Sequence, residues 1–320
     1  MSAITPWEAL ASSLTFSTNA ASTLIGSFLE QNGPLSPNTP NQRMRALMRP
    51  RNRGLDSLFY NVAPRDEEQM LARKSAPQGS IVVVKPDANQ PLLFFPDVVG
   101  FLADDVHKKV GAISVAGLGS SSVGAAGLAR DVANATGLPV AAIVSGYGID
   151  DLMFEAVGGA FTLRGVNQIE FLFEQMRNSL PGIASIPGLL PMIEDYDSSG
   201  AGPDLGAAKS LLRSDRLPKL RWVVGHSKGN LVLAGALAEL VAEDADYVLD
   251  DVKIVLLSAL TALPPQLGVQ YQFIGSLDAF GKLNSRIGIT HREVSGAMHH
   301  LNTKLPYALN VVEQIKSVQK

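Results

Sequence analysis

Between residues 80 and 145 the chain alternates apolar runs of strand length with a long stretch of helix-forming residues. IVVVKP and LLFFP read as strands, GAISVAGLG as a buried strand ending in a Gly-rich turn, SVGAAGLARDVANATG as a helix, and LPVAAIVSGYG as another buried strand. Strands that are apolar at every position are covered on both faces, and strands alternating with helices form parallel βαβ units. The same rhythm returns in LRWVVG, VKIVLLSAL, YQFIGSLD and ITHREV, with helices expected over about 229–243 and 306–318. The predicted fold class is α/β: a mostly parallel sheet with helices on both faces.

Two regions break this rhythm. Residues 1–79 read as an N-terminal extension to a domain spanning 80–320. The extension starts with a helix-like segment, 6–31, that sets Trp7, Leu10, Leu14, Leu24, Ile25 and Phe28 partly on one side, and continues through the Pro-rich linker PLSPNTPNQ. The cluster Arg43, Arg45, Arg49, Arg51 and Arg53 follows, as either a solvated arm or a contact for an anionic surface. An apolar helix side together with a basic cluster is the pairing that reversible attachment to anionic lipid requires, so peripheral contact with such a surface is one expectation. The second region, about 150–205, holds a predicted helix at VNQIEFLFEQMRNSL and then a Pro/Gly-rich stretch with Leu189, Leu190, Pro191 and Met192. It suits either a cap over an apolar pocket or a long connection.

Composition narrows the classes. With 320 residues, 46% of them hydrophobic and 18% charged, the chain can bury one large core. A net charge of -3 offers no general attraction for nucleic acid. The absence of Cys excludes disulfides, thiol catalysis and Cys-ligated metals. The first residues lack a basic start followed by a continuous apolar core, and no apolar run approaches the length that spans a bilayer, so cytoplasmic residence is the expectation.

The candidate chemistry lies in RWVVGHSKGN, residues 221–230. Random order would place about 0.2 copies of G-x-S-x-G in a chain with 29 glycines, so the context carries the weight. Leu220–Val224 reads as a buried strand and the residues from Leu231 as a helix, which puts Ser227 at a strand-turn-helix. Gly225 and Gly229 spare that sharp turn the side chains that would collide across it. An activated Ser needs an imidazole to take its proton and an acid to orient the imidazole. Of five His, His107 sits in a charged stretch before the Gly-rich strand, His226 lies inside the turn, and His291 belongs to ITHREV. His299 and His300 remain, in the loop SGAMHHLNT before the terminal helix. Asp278, after the strand YQFIGSL, is the candidate acid, with helix or turn capping as its alternative role.

The order Ser227, Asp278, His299 resembles the α/β-hydrolase superfamily, particularly its lipase and esterase branch, over roughly residues 80–318. The resemblance favours His299 over His300 as the base, since Gly-Ala-x-His is similar to the family's final loop. It also implies that AGLGSSS, residues 116–122, is the oxyanion loop, with Ala116 where the family carries His. Leu118, with Gly119 as alternative, would lend one backbone N–H and Lys228 the other. The implied activity is hydrolysis of a small-molecule or lipid-like acyl ester with no cofactor. The alternative is a binding or scaffolding protein on the same fold that has lost turnover. A dinucleotide site fits poorly, because the third Gly position after Gly117 and Gly119 is Ser122, and the histidines lack the H-E-x-x-H spacing of a metal hydrolase.

Overall fold

The computed structural model describes residues 56–71, 76–87, 89–117, 120–145, 203–244, 249 and 251–319. The helix-like start, the Pro-rich linker, the Arg cluster and nearly all of the 150–205 region lie outside the described residues, as do Leu118 and Gly119.

Eight strands form one sheet: β1 (Ile81–Val84), β2 (Leu93–Phe95), β3 (Ala112–Val115), β4 (Val140–Ile143), β5 (Trp222–His226), β6 (Lys253–Leu257), β7 (Gln270–Gly275) and β8 (Arg292–Val294). Their order is β2-β1-β4-β3-β5-β6-β7-β8. From β4 to β8 every neighbouring pair is parallel, whereas β1 runs antiparallel to both β2 and β4. The β1–β2 pair is antiparallel because the link Lys85–Leu92 is shorter than the dozen or so residues a parallel crossover needs.

Seven α-helices and a short 3-10 turn, Asp105–Lys109, accompany the sheet among the described residues: α1 (Pro64–Leu71), α2 (Val98–Ala103), α3 (Ser122–Thr136), α4 (Pro203–Leu212), α5 (Lys228–Ala242), α6 (Ala279–Leu283) and α7 (Val311–Ser317). Alternate strand residues divide between two apolar layers, as the pleat dictates. Val82, Val84, Val224 and Val255 meet the layer built with α3 and α7, and Ile81, Val83, Val223 and Ile254 meet the layer built with α4 and α5. The central strands are buried along their whole length, which is why they read as unbroken apolar runs. The terminal helix is shorter than the 306–318 expected: Tyr307 takes a φ of 66°, and Asn310 caps the helix by accepting from the N–H groups of Val312 and Glu313.

Residues 56–71, assigned to the extension by pattern, are packed onto α3. Tyr60, Val62 and Met70 enter the apolar layer beside it. Arg130 of α3 binds Asp66 through two bonds of 2.9 Å, both side chains almost fully buried, and also reaches the carbonyl of Lys85. Asp56 accepts from the N–H and hydroxyl of Ser121, the residue that caps α3. Burial pushes the carboxyl of Asp56 up to about 7, and does the same to Asp131, which receives the side-chain amide of Asn61. Among the described residues no helix is long and apolar enough to cross a membrane.

Candidate active site

The C-terminal ends of the parallel strands converge at Ser227. In an open α/β sheet this is the edge where ligands bind, because loops from several strands meet there. The chain leaves β5 at His226, turns at Ser227 and enters α5 at Lys228. Ser227 adopts φ 52° and ψ -118°, a conformation rare for a residue with a side chain, and is held there by its N–H bond to the carbonyl of Leu257 at 2.9 Å. The flanking glycines make the turn possible. A Cβ on Gly225 would run into Asn230 and Leu233, and one on Gly229 would strike the backbone oxygens of Val115 and Ala116 at the end of β3. Asn230, in the first turn of α5, ties the helix to β6 by donating to the carbonyls of Leu257 and Ala259.

The loop after β8 brings His299 across the strand ends. Its Nε2 lies 3.0 Å from Ser227 Oγ, and its Nδ1 lies 2.9 and 3.0 Å from the two carboxylate oxygens of Asp278. Asp278 is 1% exposed and also caps α6, accepting the Gly281 N–H at 2.6 Å. One carboxylate therefore both faces the His299 imidazole and caps a helix. His300 points elsewhere: its Nε2 bonds the carbonyl of Pro306, and burial lowers its proton affinity. His107 is buried beneath Phe101, and His291 is exposed with its Nδ1 on the carbonyl of Ile289.

The imidazole of His299 is walled by aromatic edges. Phe280 from α6 lies edge-on with centroids 4.8 Å apart, and Phe59, from the segment ahead of α1, does the same at 6.1 Å. Ser227 is 7% exposed. His226 sits beneath the turn, with Nδ1 2.9 Å from the Tyr60 hydroxyl and Nε2 3.0 Å from the His299 carbonyl. Burial, with the charge of His299 as a lesser cause, pushes His226 down to about 3, so it is neutral at ordinary pH.

Lys228, directly after Ser227, reaches the carbonyl of Ser145 at the end of β4 and faces the buried Asp204 of α4 at 3.5 Å. These bonds brace the first turn of α5 against two neighbouring elements. Sequence reasoning missed Phe59, Tyr60, Ser258, Asn230 and Phe280. The one available signal was a second His inside the Ser turn, which needs a polar partner once it is buried. Among the described residues there is no cluster of His, Asp and Glu suited to a metal ion.

No family model and no curated protein matches the chain. Among solved structures it is similar to a hyperthermophilic esterase from Pyrobaculum calidifontis, with a TM-score of 0.40 and 13% identity over 89% of this chain and 96% of that one. A monoclinic form of the Pyrobaculum calidifontis esterase gives 0.40 and 12% over 88% and 97%.

Proposed function

We propose that the chain is a serine hydrolase of carboxylic esters. The observation that carries this reading is the single imidazole of His299 bonded on one side to Ser227 Oγ and on the other to Asp278. In the proposed cycle Ser227 Oγ attacks the ester carbonyl while His299 Nε2 takes its proton. Asp278 holds Nδ1–H and stabilises the imidazolium. The negative charge on the former carbonyl oxygen is met by the Lys228 N–H at the positive end of α5, and by an N–H of Leu118 or Gly119. The C–O bond then breaks, His299 returns the proton to the departing alcohol, and an acyl group stays on Ser227. Water, deprotonated by His299, attacks this ester. The acid leaves and Ser227 recovers its proton.

Phe59 and Phe280 beside the base support a preference for apolar acyl groups. Attachment to an anionic lipid surface through the apolar and basic N-terminal residues is part of the same proposal. The test is labelling with a fluorophosphonate probe and turnover of short-chain p-nitrophenyl esters. Labelling lost in Ser227→Ala supports the reading, and a folded wild type that neither labels nor turns over leaves the fold as a binding or scaffolding module.

A further inference from the structure

The Tyr60 hydroxyl stands at a junction of three elements. The Gly117 N–H, at the end of β3, donates to its oxygen at 2.7 Å. The same hydroxyl lies 2.9 Å from His226 Nδ1. The His299 carbonyl, 3.0 Å from Nε2, can only accept, so the neutral imidazole carries its proton on Nε2 and takes the Tyr60 hydrogen at Nδ1. Tyr60 and His226 are 2% and 1% exposed, which shields these bonds from bulk solvent. The rings fix the directions: Tyr60 stands edge-on to His226 with centroids 5.5 Å apart, and His226 lies 5.2 Å from His299.

Both ends of this chain touch parts of the proposed machinery. Gly117 opens the loop that carries Leu118 and Gly119, and a Cβ there would press on His226 Nδ1 and Ser227 Cβ at 2.9 and 3.0 Å. The His299 carbonyl belongs to the base itself, and only one further side chain, Ser258 at 3.3 Å, donates to it among the described residues. The Phe59 carbonyl adds a backbone bond from the Leu301 N–H at 2.7 Å, so the same short segment holds the base loop directly after His300 and, through His226, at His299.

We infer that Tyr60 and His226 are positioning residues, the Tyr60 hydroxyl selecting the His226 tautomer that anchors the His299 backbone while it holds the Gly117 end of the oxyanion loop. This rests on the reading of Ser227, Asp278 and His299 as nucleophile, acid and base. Through Tyr60 the segment 56–62 supports the site, although it lies far from Ser227 in the chain.

Four full-length variants test it against p-nitrophenyl acetate: Tyr60→Phe, His226→Gln, His226→Leu and, as control, Ser227→Ala. Tyr60→Phe strands the Gly117 N–H and His226 Nδ1, and kcat is expected to fall about ten- to hundredfold. KM should move by less than about threefold, since substrate touches neither residue. A Gln amide presents an acceptor and a donor as the imidazole does, so His226→Gln should keep kcat within about threefold of wild type, whereas His226→Leu should lose as much as Tyr60→Phe. Nitrogen NMR of wild type should show His226 protonated on Nε2 and not titrating between about pH 5 and 9.

Wild-type kcat in Tyr60→Phe, or an Nδ1-protonated His226, overturns the inference even where Ser227 labels normally. A wild type in which the tautomer is as described but Ser227 does not label brings down the catalytic reading and this inference with it. Should His226→Leu not fold, the contrast between Tyr60→Phe and His226→Gln decides alone.

Discussion

Asp278 meets His299 with both carboxylate oxygens, at 2.9 and 3.0 Å from Nδ1, while one of them also takes the Gly281 N–H that starts α6. Asp278→Asn should separate these duties. The amide oxygen can still cap α6, but an amide facing Nδ1 favours the wrong imidazole tautomer. The expected loss in kcat is about 10³- to 10⁴-fold with little change in melting temperature, read from ester turnover beside thermal unfolding.

Gly229→Ala tests the turn sterically. The added methyl would strike the backbone oxygens of Val115 and Ala116, which cannot rotate away as a side chain could. Stability measured by urea unfolding should drop by about 1–3 kcal/mol, and fluorophosphonate labelling of Ser227 should slow as the turn shifts.

The ion pair between Asp66 and Arg130 joins α1 to α3 with both partners buried. Removing one partner leaves the other charge without compensation, so Asp66→Ala should cost about 3–5 kcal/mol. The double variant Asp66→Leu with Arg130→Met should cost less than the single one. Equal losses would argue against an uncompensated charge as the cause.

Asp56 and Asp131 set a pH dependence. Burial raises both from the ordinary 3.8 to about 7, so the folded chain holds protons that the unfolded chain releases. Their contribution to stability is full below about pH 4 and is lost as pH rises through about 7. Unfolding free energy measured across this window should decline toward neutrality, and Asp56→Asn should flatten part of the decline.

The proposed surface attachment can be separated from folding by where the chain is cut. A chain starting at Asn52 keeps Asp56, Tyr60 and Asp66, whereas one starting at Ser80 loses them. The first should retain ester turnover and melting temperature while losing salt-sensitive co-sedimentation with anionic vesicles. The second should melt at lower temperature. Vesicle binding unchanged in the first would sink the attachment idea.

The elements that sequence determined are those whose cause is local. The β3, β4, β5 and β6 strands are apolar at successive positions because both sheet faces are covered, and that burden is written in each strand itself. The turn at Ser227 was legible for the same reason, since its steric demand falls on Gly225 and Gly229 only two residues away. Tertiary structure decided what depends on distant partners. Two adjacent histidines have the same neighbours in sequence, and only the path of the loop after β8 sets His299 on Ser227 and turns His300 to Pro306. Tyr60 lies 166 positions from His226, and one hydroxyl carries no periodicity that could betray a buried partner so far along the chain. Asp66, Asp56 and Phe59 were hidden likewise: each meets one specific group, and a bond between two points leaves no pattern until folding brings them together.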